Sequence, residues 1–325
     1  MSAIVKCSLC PKECELDNGE SGDCRIRINI DGKLTATTFG FPSAVHTDPI
    51  EKKPLYHFLP GTKAFSIGTV GCNLHCLNCQ NWEISQCNPE DSSAYALPPE
   101  SVVESALKYK VPSIAYTYSE PVVSYEYTFE TAKIAKEKGL KNLLITAGYI
   151  NKKPLKELLP FIDAANINLK AMSNDFYRKI CGATLRPVLD AIVCTAESDT
   201  ILEVTNLIIP GLNDKDNQIR ELVKWVKSNL GTEIPLHFLK FFPQYKMKNL
   251  PHTPQKLLEK AYDIAKDEGL AFVYIGNLVS EKGQNTLCPS CGRLLVTRAV
   301  FSTEKNDITN SKCPSCGKKI YGLWE

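Results

Sequence analysis

The sequence predicts an α/β fold of six or seven parallel strands, with a cysteine-bearing module at each end. Three observations carry this. Between residues 64 and 277, short runs rich in branched and aromatic residues alternate with longer stretches whose apolar residues recur at helical intervals. The flanks, residues 1–62 and 284–325, lack that alternation and hold a four-cysteine group each. The chain has 325 residues. That suits one large core with small appendages, since α/β barrels commonly use about 200 to 250 residues.

In chain order, "AFSIGTV" (64–70), "SIAYTY" (113–118), "NLLITAG" (142–148), "AANINLKA" (164–171), "TILEVTNLII" (200–209), "LHFLKFF" (236–242) and "AFVYIG" (271–276) read as strands. "PESVVESALKYK", "YTFETAKIAKEKG", "NDKDNQIRELVKWVKSNL" and "TPQKLLEKAYDIAKDEG" between them read as helices. "LND" before the third and "HTP" before the fourth supply N-cap and first-turn chemistry. Repeated strand-helix units imply parallel strands with right-handed crossovers. Six or seven units are too few for an eight-fold barrel, so periodicity leaves a partial barrel and a doubly wound sheet both open. Either one places ligands beyond the carboxyl ends of the strands. Ahead of this body, "CRIRINI" reads as a strand with a turn at "DGK". The expected organisation is an N-terminal module (1–62), a central α/β unit (63–283) and a C-terminal module (284–325).

Lysine and arginine number 38 against 36 acidic residues, a net charge of +2, which gives no general drive toward nucleic acid or an anionic membrane. The start "MSAIVKCSLC" lacks the charged region and apolar run of a signal peptide, and no later stretch approaches the roughly eighteen apolar residues of a membrane span. A soluble cytoplasmic protein is expected. In that reducing compartment, fourteen cysteines point to metal binding rather than disulfides. Cys87, Cys181 and Cys194 fall outside the clusters and read as small apolar packing residues.

Three groups remain. Cys288, Cys291, Cys313 and Cys316 form two "CPSCG" units, each a turn that aims two thiolates at one metal. Structural zinc is expected there, with rubredoxin-like iron as the other possibility. Cys7, Cys10, Cys14 and Cys24 form C-x2-C-x3-C-x9-C, which suits zinc or an auxiliary iron-sulfur cluster. Cys72, Cys76 and Cys79 have no fourth partner. Disulfides would have no unique pairing and zinc would want another ligand, whereas a cube of iron and sulfur held by three thiolates keeps one iron free for something else.

That C-x3-C-x2-C, following directly on "AFSIGTV", resembles the signature of the radical S-adenosylmethionine (SAM) superfamily, with Asn78 where an aromatic residue is usual. The resemblance implies a 4Fe-4S cluster whose exposed iron is chelated by SAM. Reduction of the sulfonium would then yield a 5′-deoxyadenosyl radical that abstracts an unactivated hydrogen, the protein supplying binding, orientation and exclusion of water. Further stretches resemble the pyruvate formate-lyase activating branch. In "TYSEP" (117–121), Glu120 matches a residue touching the methionine amino group. "TAGY" (146–149), with Gly148, matches a turn near the ribose. In "NINLK" (166–170), Lys170 matches a lysine near the methionine carboxylate and Asn168 replaces an aspartate. In "EVTNLIIPGLND" (203–214), Thr205 stands where an arginine is usual, and in "PLHFLKFFPQYKM" (235–247) His237 matches a histidine near the adenosyl group.

"SIGTVGCNLHCLNCQNWEIS", "PLYHFLPGT", the amino-terminal "CSLCPKEC" and the ribbon ending in "YGLWE" together resemble the AmmeMemoRadiSam system radical SAM enzymes. The resemblance implies a partial (β/α) barrel with an N-terminal cysteine module and a C-terminal zinc ribbon. It also implies an electron donor such as flavodoxin or ferredoxin, and AMMECR-like and Memo-like partners. The expected activity is radical modification of an unidentified substrate: hydrogen abstraction from a protein glycine, or modification of a small molecule or peptide. "KFFPQYK" is a candidate lining for a substrate mouth. The rivals are a non-catalytic zinc protein and an electron carrier in which every iron has a protein ligand.

Overall fold

In the computed structural model, which describes residues 4–325, seven parallel strands form the body of one sheet. They are β1 (Lys63–Gly68), β2 (Ser113–Tyr116), β3 (Lys141–Thr146), β4 (Ala164–Asn168), β5 (Ile201–Ile208), β6 (Leu236–Lys240) and β7 (Val273–Gly276). The crossovers carry α1 (Pro99–Lys108), α2 (Tyr125–Glu137), α3 (Lys152–Leu158), α4 (Leu185–Ala196), α5 (Asp216–Leu230) and α6 (Gln255–Asp267). Strand order in space follows strand order in the chain. A doubly wound sheet reverses its order at a switch point; this sheet never does, so it is the partial barrel. Residues 1–3, part of the start read above for a signal peptide, lie outside the described residues. Among the described residues, no helix is long and apolar enough to cross a membrane.

Strand side chains alternate between two surroundings. Phe65 and Ile67 of β1, Ile114 and Tyr116 of β2 and Val204 of β5 join the core shared with the helices. The residues between them include Ser66, Asn166, Glu203, Thr205 and His237, all buried and polar, and these form the lumen. Register places Glu203 beside Asn166, and Thr205 beside both Asn168 and His237. On the outside, α5 buries Ile219, Leu222, Val223 and Val226, an i, i+3, i+4, i+7 stripe in which each side chain contributes about 1.5–3 kcal/mol.

The structure adds α3 and α4 to the four expected helices. Both carry a proline in the first turn, Pro154 and Pro187. A first-turn N–H has no intrahelical acceptor, so proline costs little there. The expected caps are used otherwise. Asn213 accepts from Ile209 N–H at 2.7 Å and donates to the carbonyls of Lys170 (2.7 Å) and Leu207 (2.9 Å), while α5 starts at Asp216. The Thr253 hydroxyl accepts from Phe241 N–H and donates to Ile208 O, leaving Pro254 to precede α6.

The stretch Ala44–Pro49, read from sequence as part of the N-terminal module, pairs antiparallel with β1 and becomes an eighth strand. Arg27–Ile30 and Lys33–Ala36 form the expected hairpin, with Asp31 and Gly32 both at positive φ (50° and 82°), the twist-matched two-residue turn. At the carboxyl terminus, Thr286–Leu287, Leu294–Ala299 and Ser302–Asn306 build a small antiparallel sheet. The final residues return under the barrel: Leu59 N–H donates to Leu323 O (2.7 Å), Leu323 N–H to His57 O (2.9 Å), and the Tyr321 hydroxyl accepts from Leu202 N–H at the start of β5.

Candidate active site

A cleft of about 440 Å³ opens beyond the carboxyl ends of the strands. Cys72, Cys76 and Cys79 line it with Glu120, Asn168, Lys170 and Thr205. The cysteine loop leaves β1 and is held by its backbone. His75 N–H donates to Cys181 O (2.8 Å), Leu77 N–H to Ile180 O (2.9 Å), and Lys246 N–H to Leu77 O (3.0 Å). Ile180 and Cys181 belong to a π-helical turn, Tyr177–Cys181, of the kind that gathers at functional sites. Lys246, from "KFFPQYK", thus braces the cysteine loop, and Tyr245 stacks on Trp82 with centroids 5.3 Å apart. Phe241 is fully buried core.

The donor set is not closed in the way a single-ion site is. Four thiolates around zinc at about 2.3 Å stand about 3.8 Å apart. Among the described residues, the three sulfurs of this loop do not all lie within 4.8 Å of one another. Leu74 N–H donates to Cys72 Sγ (3.4 Å), and Ser85 Oγ lies 3.1 Å from Cys79 Sγ. Burial raises the Cys72 thiol, whereas a hydrogen bond with the Cys181 thiol pulls Cys76 down against its own burial. Cys181, read from sequence as packing, is therefore also a neighbour of the loop, although it does not line the cleft. Burial works against the Lys170 charge, but the neighbouring cysteine sulfurs, Cys76 first, hold its pKa above the ordinary value.

Glu120 ties two turns together. Its Oε1 accepts from Thr146 Oγ1 (2.5 Å) and Val122 N–H (3.2 Å), and Oε2 from Ala147 N–H (2.8 Å). Burial raises its pKa, with those donors opposing. Thr205 donates to Asn166 Oδ1 at 2.8 Å. Two expected site residues stand elsewhere. Gly148 lies next to Ala147 but outside the lining; at φ 69°, an added Cβ would meet Ile167 Cγ2 at 2.9 Å, so the position keeps the turn close to β4. His237 is also off the cleft. Its Nε2 lies 2.6 Å from Glu203 Oε2 and its ring packs edge-on against Tyr56. Glu203 also accepts from His57 N–H (2.7 Å), so the buried carboxylate claims the histidine.

The sequence reading missed the far wall. Lys52, Lys53 and Tyr118 line the cleft, and Asp48 accepts from all three, from Lys53 Nζ at 2.6 Å and Lys52 Nζ at 2.9 Å. Burial lowers Lys53 to about 8 despite that partner, while Asp48, less buried and triply donated to, is held below the usual carboxylate range. Two adjacent lysines four and five residues after an aspartate, "DPIEKK", were the available signal. In the C-terminal module, all four sulfurs of Cys288, Cys291, Cys313 and Cys316 lie within 4.8 Å of one another, with Cys288–Cys316 at 3.6 Å and Cys291–Cys313 at 3.7 Å, so this group could hold a metal ion.

Comparison with known proteins bears on the family and the fold. Residues 66–226 match the family model described as the Radical SAM superfamily. Over 300 residues the chain is 46% identical to an uncharacterized protein of Methanocaldococcus jannaschii, covering 92% of this chain and 89% of that one. It is 24% identical over 212 residues to the pyruvate formate-lyase-activating enzyme of Clostridium pasteurianum, covering 58% of this chain and 86% of the enzyme. In fold it is similar to the crystal structure of SuiB from Streptococcus suis, with a TM-score of 0.51 at 14% identity over 70% of this chain and 52% of SuiB.

Proposed function

This chain belongs to the radical SAM superfamily, and we propose that Cys72, Cys76 and Cys79 hold its 4Fe-4S cluster, keeping one iron for SAM. One observation supports this above the others: three cysteines, with no fourth beside them, line one cleft at the carboxyl ends of the strands. Bound there, the cluster and SAM would supply a carbon radical able to take an unactivated hydrogen.

The chain's own residues prepare that site. Lys170 places a positive charge beside the thiolates and offsets theirs. Glu120 fixes the turns after β2 and β3 relative to each other and keeps lone pairs for a cationic amino group. The Asn168 amide and Thr205 hydroxyl offer neutral hydrogen bonds where the family commonly uses charged groups. Similarity to the activating enzyme supports a protein substrate from whose backbone glycine a hydrogen is taken, with a one-electron donor such as ferredoxin or flavodoxin. The alternative is a small molecule or peptide. The flanking motifs support the AmmeMemoRadiSam subgroup, its AMMECR-like and Memo-like partners and a cytoplasmic setting. Sulfur spacings of 3.6 and 3.7 Å support zinc in the C-terminal quartet.

The test is anaerobic reconstitution with iron and sulfide, followed by dithionite and SAM. We expect 5′-deoxyadenosine from the wild-type chain and none above background from the Cys72→Ala, Cys76→Ala, Cys79→Ala variant. Equal amounts from both would defeat the assignment.

A further inference from the structure

The N-terminal cysteines pose a separate problem. Cys7, Cys10, Cys14 and Cys24 come from two different turns, yet all four line one enclosed pocket, walled by Leu9 and Val123. A single tetrahedral zinc would draw their sulfurs to about 3.8 Å. The C-terminal quartet shows that this chain closes such a set when it builds one. The N-terminal sulfurs do not close. Among the described residues, no three of them lie within 4.8 Å of one another. The four thiols therefore line one pocket without closing on a single ion as the C-terminal quartet does, and unlike the 72–79 loop they supply a fourth cysteine.

We propose that Cys7, Cys10, Cys14 and Cys24 bind an iron-sulfur cluster, ligated by protein at every corner and separate from the one in the cleft. Its surroundings suit such a group. Cys7, Cys10 and Cys24 are buried, which excludes solvent, and Asp23 N–H donates to Cys14 Sγ at 3.5 Å. Hydrogen bonds to ligand sulfur and burial are the means by which a protein sets a cluster's potential. With no open corner, this cluster has no place for SAM.

The pocket is also built against the catalytic loop. Gly71, at φ 89°, sits where an added Cβ would meet Cys24 O at 2.6 Å, so the residue before Cys72 rests on a backbone group of the N-terminal set. Asn73, the residue after Cys72, is itself part of the pocket lining and donates to Tyr149 O at 2.7 Å. Between Cys72 and Cys76, His75 Nε2 lies 2.9 Å from Asp23 Oδ2. Both metal groups thus share one length of chain, residues 71–75.

Metal counting tests this without enzyme turnover. The full-length wild-type chain and its Cys72→Ala, Cys76→Ala, Cys79→Ala variant are reconstituted anaerobically with iron, sulfide and zinc, and metals and acid-labile sulfide are measured. The wild type should hold about eight irons, two cubes' worth, and the variant about four irons with matching sulfide. The reduced variant should show an iron-sulfur resonance unmoved by added SAM. If the variant holds no iron or sulfide and two zinc ions, the proposal is overturned. Should the variant not fold, a wild-type count of about four irons and two zincs overturns it equally, and about eight irons supports it. Failure of SAM cleavage in the wild type would sink the reading of the cleft and leave these counts standing.

Discussion

Glu120 connects two turns through a single carboxylate. Three donors from Thr146, Ala147 and Val122 converge on it while it is 2% exposed. In Glu120→Gln, one oxygen becomes an NH2 group that must face a donor, and leaving a buried donor unsatisfied costs about 1–3 kcal/mol. Reduced thermal stability together with at least tenfold weaker SAM binding by calorimetry is expected, and unchanged stability would refute the brace. Lys53 makes a different demand. Its folded pKa of about 8 lies below its ordinary 10.5, so between those values the unfolded chain binds more protons. The cost of burying its charge is fully present below pH 8 and is relieved as pH rises toward 10.5. Measured by denaturant unfolding, the wild type should gain on Lys53→Met across that window, by no more than about 3 kcal/mol. A parallel pair of pH curves would show that Lys53 keeps an ordinary pKa.

At the scale of elements, the strands were legible because their apolar runs are long, yet their carboxyl ends were overrun. The run 113–118 continues past the ladder, which stops at Tyr116, because Thr117 and Tyr118 turn into the cleft, Tyr118 at φ 71°. The run 142–148 likewise outlasts β3, since Ala147 and Gly148 have left the ladder to meet Glu120 and β4. Hydrophobic pattern records burial, and burial continues where pairing has ended. Spacing exposed the cysteine loop because its ligands are neighbours in sequence. The π-helical turn that holds it lies about a hundred residues away and carries no pattern of its own. His237 was legible as a strand histidine matched to one near the adenosyl group, but nothing local reveals that Glu203, on the adjacent strand, would lie 2.6 Å from its Nε2. Removing one partner of a buried pair costs about 3–5 kcal/mol. His237→Ala should therefore lower stability by that order in urea unfolding, with SAM affinity in calorimetry changed less than threefold. A large loss of affinity with stability intact would return the histidine to the cofactor site.

For the whole molecule, the C-terminal module matters because its last residues leave the cysteine quartet and pack against the barrel. After Cys316 the last residues run beneath the barrel, where Leu323 bridges the backbone of 57–59 and Tyr321 caps the start of β5. Ribbon residues Leu295, Val296 and Ile308 share one apolar cluster with Tyr56, Phe272 and Tyr274. Tyr274 in turn bonds His57 Nε2 at 2.7 Å, two steps from Glu203. A metal that closes the quartet thus also fixes the floor of the lumen. Loss of that metal should destabilise the barrel, because a small module without its ion loses most of its folding free energy. Cys313→Ser, at a buried ligand, should release about one zinc per chain. It should also lower the melting temperature of the whole chain by at least about 5 °C, since 1 kcal/mol moves a domain of this size by about 2–4 °C. The transition should remain single in calorimetry. Two separate transitions, with the barrel's unmoved, would mean that the ribbon hangs free and that the aromatic cluster beneath the lumen holds without it.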